Sequence, residues 1–249
     1  MRSRRDVTVI YYTSNREKPE FEANIRKALW ATAKRLRIPL ISVSQQPLDF
    51  GHNICVGDVG SSSQNAYRQI QVGAMAAKTR FVCTAEADCL YPRDYFLFQP
   101  ERDDTFYIAN PVWILFNQTR IITETVIKVV EIRKRMFFLK PTGSELAMYV
   151  GTETLIDRIE TVLDGLGQWG SRSCDGISMP YLLAIRRRFR MRVARTERFE
   201  VNEPVVSFKT DQNMHRKTGC LLSTRRESLD PWGSAGDLIR RYQCQGILK

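Results

Sequence analysis

The chain has 249 residues, of which 43% are hydrophobic and 26% charged, and 38 basic against 27 acidic side chains leave a formal net charge of +11. This balance excludes a disordered or low-complexity protein, and no apolar run approaches the roughly 20 residues of a membrane-spanning helix. The basic excess favours polyanionic partners such as nucleic acid, anionic lipid or phosphate-rich substrates.

Val7–Tyr12 is an unbroken apolar run that predicts a buried strand ending at Thr13, Ser14, Asn15 and Arg16. Pro19 suits the first turn of a helix, and Phe21, Ile25, Leu29, Ala33 and Leu36 recur at helical spacing along Glu20–Leu36. Ile38–Val43 predicts a second strand, so the chain opens β-α-β, the unit of a parallel sheet with crossover helices. Gly51–Gly60 reads as a polar loop that carries His52, Asn53 and Asp58. A helix over Ser61–Lys78 follows, whose serines can cap backbone N–H groups and whose N-terminus can meet a phosphate.

Phe81–Thr84 is a short apolar strand that runs into Glu86 and Asp88. Period-two geometry places the two acids on one side of an extended chain, where a divalent cation would relieve their repulsion. A solvated acidic turn is the plainer alternative. Pro92 and Asp94 end the extended run. Thr105–Asn110 and Val112–Phe116 predict two strands around Pro111, while Thr123–Arg135 is β-branched yet carries charges on helical faces and fits either state.

Met148–Gly151 predicts a strand, and Thr152–Leu163 a helix begun by a threonine cap. The glycine-rich loop Gly165–Gly170, with Trp169, leads to Cys174-Asp175-Gly176 and a helix from Ile177 to about Arg188. Arg186, Arg187, Arg188, Arg190, Arg192, Arg195 and Arg198 then crowd one stretch that holds only Glu197 as a local acid. They form either a binding surface or a structural set paired with Glu101, Asp103 and Asp104. A polar loop through His215 and a closing helix over Ala235–Tyr242 complete the chain. The six cysteines show no C-x-x-C spacing, several lie in apolar runs, and Met1–Asp6 leads into a strand without an apolar leader. These features predict a reducing, cytoplasmic compartment (host cytoplasm if viral) and no structural zinc.

A β-α-β-α-β half that ends in an acidic x-D motif resembles the GT-A-fold glycosyltransferases, family 2-like, in which a strand-end D-x-D or E-x-D holds a divalent metal against a sugar-nucleotide diphosphate. Val7–Arg16 resembles the opening strand and nucleotide loop, Ser61–Lys78 the helix before the acidic strand, Asp175 the acceptor-side acid, and His215 the late metal-binding histidine. The resemblance implies an α/β fold with a mixed, mainly parallel Rossmann-like sheet flanked by helices. It implies one domain over 1–249, with 1–100 binding the nucleotide sugar and 101–249 the acceptor. The donor, a UDP-sugar by preference, would contact Thr13, Asn15, Arg16, Asp58, Ser62, Asn65, Arg68, Glu86 and Asp88. Asp88, His215 and Glu86 would hold Mn²⁺ or Mg²⁺, and Asp175 would be the general base of an inverting displacement. Glu86 replaces the usual Asp, and Cys174 stands where a second acid is usual.

Three readings of the acceptor compete. A hydroxymethylated pyrimidine in DNA, as in bacteriophage DNA modification, fits the arginine-rich second half; Trp113, Tyr149 and Trp169 are then candidates to hold the base, and Arg188, Arg190 and Arg192 to grip phosphates. A cell-envelope glycan or lipid-linked acceptor is the second. A non-catalytic nucleotide or nucleic-acid binding module is the third.

Overall fold

The computed structural model describes residues 6–123, 129–140, 146–164, 166–170, 195–210 and 224–248. β1 (Val7–Thr13), α1 (Pro19–Leu36), β2 (Leu40–Ser44), β3 (His52–Cys55), α2 (Ser63–Ala76) and β4 (Phe81–Glu86) form the first half. Pro19 sits in the opening turn of α1, where a missing N–H costs nothing, and Arg37 ends the helix in left-handed backbone. β3 lies inside the stretch predicted as a loop. It is a four-residue strand paired, among the described residues, only with Ile41–Ser44 of β2, and a short edge strand with exposed ends carries little hydrophobic alternation to betray it.

The strands β3, β2, β1 and β4 lie side by side in that order and are all parallel. Beyond β4 the sheet is mixed. β5 (Cys89–Leu90) follows β4 at once, and a single 3₁₀ turn (Tyr95–Leu97) leads away from it. β6 (Thr105–Thr123), β7 (Val129–Leu139) and β8 (Met148–Gly151) come next, with β8 antiparallel to both β4 and β6. β9 (Arg195–Phe208) runs parallel to β6 and antiparallel to β5, and β10 (Arg225–Arg226) closes the far edge against β7.

The two strands predicted around Pro111 are a single strand, β6, whose register against β9 shifts between Asn110 and Val112. A bulge is where a residue without an N–H fits a sheet interior. Thr123–Arg135, open from sequence, contains the end of β6 and the start of β7, paired from Thr123–Val129 through Trp113–Leu139; residues 124–128 fall outside the described residues. A partner strand of matching length decides the matter in favour of the β-branched residues.

The sheet is covered on both faces. Along β1, Val9 and Tyr11 pack with Leu29, Ala33 and Leu36 of α1, while Ile10 and Tyr12 pack with Ile70 and Ala74 of α2 and Leu155 and Ile159 of α3 (Thr152–Leu163). Gly151, rather than Thr152, is the N-cap of α3; the Thr152 hydroxyl donates instead to the Thr79 carbonyl. A third cluster joins Phe21 and Ile25 to Val206 and Phe208 of β9 and to Leu238 and Ile239 of α4 (Ala235–Arg241). A small hairpin of β11 (Ser228–Leu229) and β12 (Gly233–Ser234) precedes α4. Among the described residues Cys55, Cys83, Cys89 and Cys244 are free thiols, and no helix is long and apolar enough to cross a membrane.

Candidate active site

Crossover helices run antiparallel to the strands they join, so the N-terminus of α2 rises at the edge where β1 and β4 end. Glu86, the last residue of β4, lies beside Tyr12 in the parallel register. The buried Tyr12 hydroxyl donates to Glu86 Oε1 at 2.5 Å. Ala87 and Asp88 then turn the chain back into the sheet as β5, where Cys89 pairs with Ser207 of β9. The Phe208 N–H donates to the Asp88 carbonyl at 2.8 Å. The Tyr91 hydroxyl accepts from the Glu86 N–H at 2.9 Å and donates to the Leu146 carbonyl at 2.6 Å.

The two acids therefore meet through a clamped turn, and the turn adds a third group that period-two spacing does not include. Cys89 Sγ lies 3.2 Å from Asp88 Oδ1 and 3.8 Å from Glu86 Oε2. One ligand atom from each of Glu86, Asp88 and Cys89 falls within 4.8 Å of the others. Sequence reasoning places Cys89 among the small hydrophobes and passes over Tyr12. Their signals were adjacency to Asp88 for the first and a parallel register for the second. Burial, and then the charge of Glu86, hold the Tyr12 hydroxyl well above the usual phenol range. Burial, followed by Asp88 and Glu86, holds the Cys89 thiol well above the usual thiol range. Without a cation, both are therefore protonated donors to the carboxylates at neutral pH. Two hard carboxylates with a sulfur beside them suit a divalent cation.

Four of the predicted donor contacts use their side chains to build the edge itself. Thr13 Oγ1 accepts from the Asn15 N–H, and Asn15, at φ 55°, accepts the N–H groups of Gln45 and Gln46 at 2.8 and 2.9 Å. Ser62 caps α2 through the Asn65 N–H. Asn65 donates to the carbonyls of Val59 and Gly60 and accepts from the Gly170 N–H at 2.6 Å. Arg68, one turn on, is half-buried and donates to Gln71 Oε1. Arg16 and Asp58 are exposed.

Of the predicted acceptor contacts, Trp169 is half-buried in a loop that reaches α2, where Gln64 Nε2 donates to the Gly167 carbonyl at 2.7 Å. Trp113 and Tyr149 are buried. Trp113 is 5% exposed beneath the Arg226 guanidinium, and Tyr149 is 1% exposed with its hydroxyl donating to the Tyr95 carbonyl. Both belong to strands covered on either face, so their rings are spent on the core. Asp175, Arg188, Arg190, Arg192 and His215 lie outside the described residues.

The order β3-β2-β1-β4-β8-β6, with an acidic turn at the end of β4, is a mixed α/β sheet flanked by helices. No protein-family profile matches the sequence, and no curated protein does. The chain is similar to a solved glycosyltransferase involved in the glycosylation of the major capsid of PBCV-1, at 9% identity over 78% of this chain and 81% of that one, with a TM-score of 0.43. It is similar to the inositol-1-phosphate CTP transferase from T. maritima at 10% identity over 100% of each chain, with a TM-score of 0.46. It is also similar to the catalytic domain of Drosophila β1,4-galactosyltransferase 7, at 13% identity over 78% of this chain and 64% of that one, with a TM-score of 0.34. Likenesses this distant carry no functional argument, which rests on the geometry of the chain itself.

Proposed function

We propose that the protein is a metal-dependent glycosyltransferase that moves a sugar from a nucleotide-diphosphate donor to an acceptor hydroxyl. The observation that carries this reading is the convergence of Glu86 and Asp88 where β1 and β4 end, on the sheet edge from which α2 starts. Open α/β sheets bind ligands outside the carboxyl ends of their strands. There Asp88 and Glu86 hold the cation, and the first N–H groups of α2 favour the negative charge of the diphosphate. A divalent cation, when bound, stabilises the charge that grows on the nucleotide diphosphate as the glycosidic bond breaks. Tyr12 fixes Glu86 through one oxygen and leaves the other facing Cys89. Arg16, Asp58 and Arg68 flank the donor, His215 completes the ligand set, and Asp175 takes the proton from the acceptor hydroxyl in an inverting displacement.

In the finer reading the acceptor is a hydroxymethylated pyrimidine in DNA. The net charge of +11 supports it, as do the exposed Arg195 and Arg198 at the start of β9. Two acids that could have neutralised the arginine stretch are engaged elsewhere, Asp103 by Arg80 and Asp104 by Arg102. The test is mass spectrometry of hydroxymethylated and plain DNA after incubation with the protein, Mn²⁺ and a panel of sugar nucleotides. A cation-dependent gain of one sugar on hydroxymethylated DNA alone is the expected result. Equal modification of plain DNA overturns the hydroxymethyl acceptor. Transfer of a nucleotidyl group to a sugar phosphate overturns glycosyl transfer itself.

A further inference from the structure

The geometry points to Cys89 as a direct ligand of the cation held by Glu86 and Asp88, making the centre a mixed carboxylate–thiolate site that selects borderline metals such as Co²⁺ and Zn²⁺ over Mg²⁺. The inference rests on the metal-dependent reading above and goes beyond it in assigning the third ligand and the class of metal.

The sulfur is placed by secondary structure. Cys89 is 1% exposed and is the first residue of β5, held in register against Ser207 of β9. Bonds of about 2.3 Å to sulfur and about 2.1 Å to oxygen set neighbouring donor atoms about 3.1–3.7 Å apart around one ion. The Cys89–Asp88 separation of 3.2 Å lies inside that range, and the Cys89–Glu86 separation of 3.8 Å lies just beyond it. The buried Tyr12 hydroxyl holds Glu86 Oε1, which turns Oε2 toward the sulfur, as outer partners orient ligating carboxylates. Oxygen ligands alone suit Mg²⁺, whereas a thiolate shifts preference along the series towards Co²⁺ and Zn²⁺. On coordination the thiol proton passes to buffer.

The test is titration of the full-length protein with Co²⁺ in the presence of UDP, followed by absorbance and by equilibrium dialysis. The wild-type protein should develop a near-ultraviolet sulfur-to-cobalt charge-transfer band as one Co²⁺ binds. Cys89→Ser should still bind Co²⁺ without the band, at least ~10-fold more weakly, because loss of even an outer partner costs that much. Its preference between Co²⁺ and Mg²⁺ should move towards Mg²⁺. Melting curves of Cys89→Ser and Cys89→Ala establish that each variant is folded. Cadmium NMR of the wild-type protein reports sulfur ligation without any substitution. Co²⁺ bound in an Asp88-dependent way with no charge-transfer band overturns the thiolate ligand and leaves the carboxylate centre standing. A band that survives in Cys89→Ser overturns the assignment to Cys89. No Co²⁺ bound by the wild-type protein overturns the metal centre and the glycosyl-transfer reading together.

Discussion

Tyr12 shows how much of this site depends on residues that are not acids. Its hydroxyl donates to Glu86 Oε1 and fixes which oxygen faces Cys89. Tyr12→Phe keeps the buried ring and removes only that bond. Mn²⁺ affinity measured by calorimetry should fall by about 10–100-fold, with a loss of about 1 kcal/mol in denaturant stability. Unchanged affinity would mean that Glu86 is oriented by other groups. The acids themselves were legible, because two carboxylates after an apolar run are visible in any reading. Tyr12 was not, since its meaning arises only when the parallel register sets it beside Glu86. Nor was Cys89, because sequence does not say that Ala87–Asp88 turns the chain back rather than extending it. Trp113 and Tyr149 are candidates from sequence because of their rings, and only the strands on either side of β6 and β8 show that those rings are buried.

Among the elements, α2 approaches the sheet closely at Gly73. A Cβ on Gly73 would stand 2.5 Å from Ile10 Cγ2 and 3.3 Å from Val43 Cγ2, in a core where Ile10 and Val43 are 0% exposed. Gly73→Ala should therefore destabilise the protein by about 1–3 kcal/mol through overpacking, although alanine is the better helix former by about 1 kcal/mol. A chemical-denaturation midpoint that rises instead would show that α2 can shift away from β1 at no cost. Long periodic segments such as α1, and apolar strands such as β1, declared themselves because one physical signal dominates each. β3 and β6 did not. An edge strand has little alternation, and the continuity of β6 through Pro111 depends on a bulge that only its pairing with β9 reveals.

For the molecule as a whole, burial and charge set two further expectations. Burial pushes the Cys83 thiol up to about 12, and Tyr95 and Tyr149 are raised well above the usual phenol range, burial again being the first cause. A thiol raised in the folded state contributes its full stability below its unfolded value, roughly 8.5, and loses it as pH rises towards the folded value. The melting temperature should fall steadily from about pH 8.5 upwards, by up to ~1.4 kcal/mol of stability per pH unit for that thiol; a flat profile would contradict a protonated, buried Cys83. If Arg188, Arg190 and Arg192 contact phosphates, replacing all three with Gln should flatten the log–log salt dependence of duplex binding by about 0.9 per lost contact. A lowered melting temperature with an unchanged slope would assign them to the fold instead. The central claim is that the turn at the end of β4 holds a cation for a nucleotide diphosphate. Calorimetric titration of UDP into the wild-type protein and into Asp88→Asn, each with Mn²⁺ and with EDTA, tests it most directly. UDP binding should require Mn²⁺ and be lost in Asp88→Asn at unchanged melting temperature; UDP binding of equal strength in EDTA, or undiminished in Asp88→Asn, would overturn the cation-holding turn.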